Sequence, residues 1–308
     1  MTQEINIVTA FFNIKRENWK GFSRTEDLYF EYFKGWAKLK NKIVVYVETE
    51  ELKDKIIDFR SKIGLGERTI VNVINDCFSI APDLYRSIKK AAKNDIHKKF
   101  RLYPNNPEVW NAEYDYIMLL KMWCSADAVE RGQVDGMVAW MDFGYNHGGQ
   151  VLDINSNFNY LWQYDFDDKI NLFLIQDLDD RPIFDIVLSM DTYIMGMMIV
   201  GPAFLWKKFW NLMQDCMMEL NACGLIDDDQ NVILMAYRKN PQIFNTIRSG
   251  WQLPLKQFGG EHLSLNIKNR DNVLMSMLKS IYRYINKRRV CFLYAKNIYN
   301  YYKRITIH

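Results

Sequence analysis

The sequence predicts an α/β fold: a central, mostly parallel sheet flanked by helices, with a basic helical extension at the C-terminus. Two observations carry that reading. Short apolar, β-rich runs alternate with helical patterns from residue 5 to about residue 142. The chain's 308 residues are enough for one large α/β domain with additions.

Residues 5–12 (INIVTAFF) form the first buried strand. Leu28, Phe33, Trp36 and Leu39 then recur at helical spacing. Residues 42–47 (KIVVYV) are a second strand, 50–62 a helix that stops before Gly64, and 69–74 (TIVNVI) a third strand. Residues 82–100 are a lysine-rich helical stretch. A long helix follows over 106–132, with Pro107 in its first turn, Trp110, Ile117 and Cys124 on one stripe, and Gly132 after its end. The fourth strand is 136–142, and 169–175 (KINLFLI) and 193–200 (YIMGMMIV) are two more. Residues 203–222 carry the apolar stripe Trp206, Trp210, Met213, Met217 and Leu220, and Gly224 is the natural stop. The run 227–230 (DDDQ) opens a helix that ends before Pro241. No repeat or low-complexity linker interrupts residues 1–265, so these read as one domain and 266–308 as a separate helical tail.

Charge is unevenly spread. From Lys268 onward ten Lys or Arg face one acid, Asp271, although the whole chain is only +3. Interleaved Ile281, Tyr284, Ile285, Phe292, Tyr299 and Tyr302 make this tail suited to an anionic membrane surface, or to packing on the domain with a solvated basic face. No RNP or KH signature accompanies it, so no nucleic-acid partner is expected. Five scattered cysteines without a CxxC pair suit reduced thiols in the cytoplasm. The N-terminus lacks the pattern of a signal peptide, and the longest apolar run, 193–206, is broken by Gly196, Gly201 and Pro202.

Four stretches carry chemistry. In GMVAWMDFGYNHGG (136–149), Asp142 follows an apolar strand and precedes Gly144. At the carboxyl end of a parallel strand it is either a ligand for a divalent cation or a turn cap. In DDDQ, three adjacent acids repel one another, which raises some of their pKa values; they serve as a base or sugar contact, or merely cap a helix. His262, in a glycine-flanked turn, and His147, nearer Asp142 in sequence, compete as imidazole ligands. The end of the first strand offers Thr9, Ala10, Phe11 and Phe12, then Lys15, Arg16 and Trp19: rings and cations for a base and its phosphates, or simply core. Neither GxGxxG nor GxxxxGK[ST] is present, which counts against a classical dinucleotide enzyme or NTPase.

NIVTAFFNIKRENW, WMDFG and IDDDQ, in that order, resemble the HtrL/YibB-like bacterial proteins, which stand among glycosyltransferases of the GT-A (Rossmann-type) fold. The resemblance runs from Ile5 to about His262. It implies a glycosyltransferase using a nucleotide-sugar donor, UDP-linked and for example UDP-galactose, with Mn2+ or Mg2+ as cofactor. GT-A enzymes hold the metal with a DxD motif; here that position reads Trp140-Met141-Asp142, with only the last acid retained. The resemblance therefore assigns Asp142 and His262 to the metal. Thr9, Ala10 and Phe11 are assigned to the base, Arg16 and Trp140 to the donor, and Asp228, Asp229 and Gln230 to the reacting sugar and acceptor. The acceptor expected is a lipid-linked glycan in lipopolysaccharide or capsule synthesis, on the inner face of the cytoplasmic membrane. Two other classes compete. One is a non-catalytic nucleotide- or glycan-binding protein on the same fold. The other is a nucleotidyltransferase, whose glycine-rich first loop TAFFNIKR does not provide.

Overall fold

A computed structural model describes residues 3–266 and 273–305. In chain order its elements are β1 (Gln3–Phe11), α1 (Glu26–Trp36), β2 (Ile43–Val47), α2 (Glu50–Lys62), β3 (Thr69–Val73), α3 (Pro82–Ala92), α4 (Asp95–Phe100), α5 (Pro107–Trp110) and α6 (Ala112–Glu130). There follow β4 (Met137–Met141), β5 (Gln163–Tyr164), β6 (Ile170–Leu174), α7 (Ile183–Ser189), β7 (Ile194–Pro202), α8 (Ala203–Ala222), α9 (Asp229–Lys239), β8 (Phe244–Arg248), α10 (Pro254–Gln257) and α11 (Val273–Ile305).

The sheet runs β3-β2-β1-β4-β7-β6-β8, with β5 paired on β1. β1, β2, β3 and β4 are mutually parallel, β7 is antiparallel to both β4 and β6, and β8 is parallel to β6. The carboxyl ends of β1 and β4 therefore emerge side by side, which fixes where a ligand can sit. Side chains alternate across β4. Val138 and Trp140 join the core under α3, α6, α8 and α9, while Met137, Ala139 and Met141 join the opposite core under α1 and α2. α8 buries Trp206, Phe209, Trp210, Met213, Met217 and Leu220, each worth roughly 1.5–3 kcal/mol when fully buried. Thr25 and Thr49 cap α1 and α2 by accepting from the backbone N–H of Leu28 and Leu52.

The predicted fold class stands, and several elements differ in detail. The 106–132 helix is two, because Asn111 leaves helical geometry and its side chain caps α6 through Glu113 and Tyr114. Trp110 consequently leaves the predicted stripe and is 41% exposed. The 82–100 stretch also divides, into α3 and α4. α1 ends at Trp36, so Leu39 is buried beyond the helix, and Leu28 is partly exposed. β5, α7, β8 and α10 have no counterpart in the predicted elements.

At about 1.5 Å per residue, α11 extends for about 50 Å. It meets the rest of the chain through Tyr282 stacked on Tyr103, Tyr294 against Phe100, Arg283 paired with Asp191 at 2.5 Å, and Arg289, which donates to the Arg101 carbonyl at 2.7 Å. Ile281, Tyr284, Ile285, Phe292, Ile298 and Tyr299 stay exposed. Lys268, Arg270 and the side chains of Lys279, Tyr302, Lys303 and Arg304 lie outside the described residues. Among the described residues no helix is long and apolar enough to cross a membrane. The five cysteines are all free thiols.

Candidate functional site

Trp140 and Asp142 are two residues apart at the end of β4, so both point toward α6. The indole Nε1 of Trp140 donates to Asp142 Oδ1 at 2.8 Å and fixes the carboxylate. The backbone N–H of Asp142 donates to the Met197 carbonyl of β7 at 2.9 Å, which ties the strand end to its antiparallel neighbour.

Lys121 of α6 reaches this point from behind. Its ammonium lies 3.1 Å from Asp142 Oδ1 and 2.9 Å from Asp229 Oδ2, and donates to the Gly196 carbonyl at 3.1 Å. The residue is only 4% exposed. Burial pulls its pKa down, but Asp142 and Asp229 outweigh burial and raise it, so the side chain is a buried cation. Gly196 makes room for the arrangement, since a Cβ there would stand 2.2 Å from Asp229 Oδ2.

The three acids of the 227–229 turn have separate roles. Asp227 is buried and faces away from the cleft. It receives Arg101 Nη1 at 3.2 Å and Asn231 Nδ2 at 3.1 Å. Arg101 also donates to the carbonyls of Val187 and Ile226, so it pins the start of the turn. Asp228 caps α9, accepting from the Gln230 N–H at 3.0 Å, and remains partly open to the cleft. Burial, then Asp229, Asp227 and Glu108, push its carboxyl well above the usual range. Asp229 is raised as well, first by burial and then by Asp142, with Lys121 opposing.

These groups wall a cleft of about 270 Å³ at the carboxyl ends of β1 and β4. Of the residues predicted from sequence it gathers Ala10, Phe11, Arg16, Trp140, Asp142, Asp228, Asp229 and Gln230. Lys15 and Thr9 are not part of its wall; Thr9 is fully buried in the sheet. His262 does not converge on Asp142. Its ring stands edge-on to Tyr160 and its Nε2 is 3.0 Å from the Asn157 carbonyl, so the turn is held elsewhere. His147 is the imidazole that lines the cleft, 3.3 Å from Arg24 Nη1, and burial with help from Arg24 holds its pKa below 6.5.

Arg16 donates to the Phe22 carbonyl at 3.0 Å and to the Tyr29 hydroxyl at 2.8 Å, and lies over the rings of Trp19 and Tyr114. Arg24 lies over Tyr29. Neither arginine pairs with a carboxylate among the described residues, and both are half-buried on the cleft wall. Arg24, Tyr29, Tyr114, Lys121 and Trp251 complete a site that the motifs reveal only in part. The available sequence signals were a lysine inside YIMLLKMWC and a glycine inside YIMGMMIV.

A seat for Mn2+ or Mg2+ needs several converging oxygen or imidazole ligands. The residues present do not fit that need. Lys121 stands between the two carboxylates that would supply it, His262 is elsewhere, and no group of three His, Cys, Asp or Glu able to hold a metal occurs among the described residues.

Residues 3–259 match the family described as "Bacterial protein of unknown function (HtrL_YibB)". The chain is 32% identical over 261 residues to Protein HtrL of Escherichia coli (strain K12), covering 80% of this chain and 88% of that one. Among solved structures it overlaps the PaToxG glycosyltransferase with a TM-score of 0.36 at 10% identity, over 78% of this chain and 71% of that one. That likeness is too loose to bear on function. With the family match spanning nearly all of the sheet and its helices, the chain belongs to the HtrL_YibB family of bacterial proteins.

Proposed function

We propose that the cleft takes a nucleotide-sugar and that the protein is a glycosyltransferase. The observation that carries this is the pair of half-buried arginines, Arg16 and Arg24, without carboxylate partners among the described residues, lining the same cleft as Asp228 and Asp229. Two guanidiniums whose charge no carboxylate neutralises, on a ring-lined wall, suit a diphosphate beside a planar base. Phe11, Tyr29 and Tyr114 supply the rings, and Asp228 with Gln230 supplies polar contacts for sugar hydroxyls.

In transfer, the acceptor hydroxyl oxygen bonds to the anomeric carbon while the bond from that carbon to the diphosphate breaks. The electron pair leaves with the diphosphate, whose charge Arg16 and Arg24 neutralise. The hydroxyl proton passes to Asp228, whose raised pKa makes it a stronger base than an ordinary carboxylate when ionised. A UDP-sugar is the first donor to test, and a lipid-linked glycan of lipopolysaccharide or capsule the first acceptor. The basic, aromatic face of α11 supports a place on the inner leaflet of the cytoplasmic membrane.

Calorimetric titration of the protein with UDP, GDP and CMP tests the reading. Binding of one nucleotide, weakened in Arg16→Met, is expected. No binding of any of them overturns it. Sugar transfer or donor hydrolysis, lost in Asp228→Asn while binding persists, separates an enzyme from a binding protein.

A further inference from the structure

We infer that Lys121 is the resident cation of this site, and that a nucleoside diphosphate binds the cleft without a divalent metal ion. This rests on the nucleotide-binding reading above and adds how the charge of the site is balanced.

The position between Asp142 and Asp229 is where two carboxylates approach closely enough to share one cation. The Lys121 ammonium is already there, within 3.1 Å of one and 2.9 Å of the other. Its third contact, the Gly196 carbonyl at 3.1 Å, matches the three donors an ammonium offers. The side chain issues from the middle of α6 and is buried nearly completely, so moving it would strand a cation among apolar groups.

The neighbours are shaped for this lysine. Gly196 has no side chain, which lets Asp229 lie against β7 within reach of the ammonium. Trp140 donates to the same Asp142 oxygen that Lys121 approaches, and holds it in place. With one positive charge on two carboxylates, only a single net negative charge remains. A divalent ion would have to sit beside a fixed ammonium to use it. The phosphates, in turn, have Arg16 and Arg24 in the lining of the same cleft. Bidentate guanidinium recognition supplies the charge that a metal would otherwise bring.

The test uses the full chain and two probes, UDP and Mn2+. UDP affinity is measured by calorimetry in EDTA and again with Mn2+ or Mg2+. The two values are expected to agree within about twofold, less than the loss of any one charged hydrogen bond would give. Electron paramagnetic resonance of Mn2+ mixed with the free protein should show only the aquo ion. In Lys121→Met the vacated acid pair should bind Mn2+, visible as loss of the free-ion signal. Where that variant does not fold, Lys121→Met/Asp229→Asn restores the charge balance, and UDP should bind it without Mn2+. UDP binding by the wild type that vanishes in EDTA and returns with Mn2+ would overturn the inference. So would tight Mn2+ binding by the free wild-type protein. Failure of every nucleotide to bind removes the nucleotide reading instead, and the Mn2+ measurement still decides the assignment of Lys121.

Discussion

Replacing Gly196 by alanine adds one methyl group at the most crowded point of the site. The new Cβ would stand 2.2 Å from Asp229 Oδ2, 2.8 Å from its Cγ and 3.0 Å from Oδ1. A flexible side chain would yield, but this carboxylate is buried and held by Lys121, so yielding means pulling away from that ion pair. Overpacking of a tight interior costs about 1–3 kcal/mol, and displacing one member of a buried ion pair costs about 3–5 kcal/mol. A loss of about 3 kcal/mol or more is therefore expected for Gly196→Ala. With an unfolding entropy of about 2.1 cal/mol/K per residue, that lowers Tm by about 5 °C for this chain. Gly35, inside α1, is the control, because nothing lies within 4 Å of a Cβ built there. Gly35→Ala should be neutral or stabilising by about 0.5–1 kcal/mol. Denaturant melts of both variants, followed by calorimetry with UDP, read the result. A Gly196→Ala protein as stable as Gly35→Ala would refute the packing described around Asp229.

Other variants probe separate parts of the molecule. His97 is buried, neither ring nitrogen finds a partner among the described residues, and burial, then Arg101 and Lys98, lower its pKa from 6.5 to about 4. A lowered folded pKa means stability present above pH 6.5 and lost as the pH falls toward 4. The loss is about 3 kcal/mol at roughly 1.36 kcal/mol per unit. His97→Gln should flatten the stability profile across that window in acid-titrated melts. Asp115 has the opposite sign: it is buried, its carboxylate finds no hydrogen-bond partner among the described residues, and its pKa is raised well above 3.8, first by burial. Its contribution is present below pH 3.8 and lost as the pH rises, so Asp115→Asn should gain stability over the wild type between pH 4 and 8. Reversing Lys287, Arg288 and Lys296, all exposed on α11, removes about 1 kcal/mol of surface attraction each, and more with the new acids. Sedimentation with anionic vesicles should fall at least about a hundredfold, and unchanged sedimentation would dismiss the membrane role.

The parts of the fold legible in the sequence are those where local pattern and tertiary environment agree. INIVTAFF and GMVAWM are mostly apolar because both faces of the central strands are largely buried. α8 was legible to the residue because its stripe is bracketed by Pro202 and Gly224. β8 was not. FNTIR carries only two apolar residues, since it pairs with β6 alone and one edge is open. In the site, Asp142 and the 227–229 acids announce themselves as charges beside a strand end and at a helix start. Lys121 does not, because a lysine among apolar neighbours acquires meaning only once Asp142 and Asp229 are seen to face it. Arg24 is likewise an ordinary residue before α1 until the chain turn brings it to the cleft. His262 looked like a ligand from its glycine-rich context, but Asn157 and Tyr160 decide where that turn goes.

Arg101 has a practical consequence for anyone trimming this protein. Its carbonyl accepts from Arg289 of the last helix, while its guanidinium grips Asp227 and the carbonyls of Ile226 and Val187. Cutting away the C-terminal helix, a common step toward crystals, would also uncover Phe100 and Tyr103 and release the residue that braces the acidic turn. A shortened protein that has lost activity would then report a loosened brace as readily as a missing anchor. Point changes on the outer face of the helix keep the brace and change only the surface.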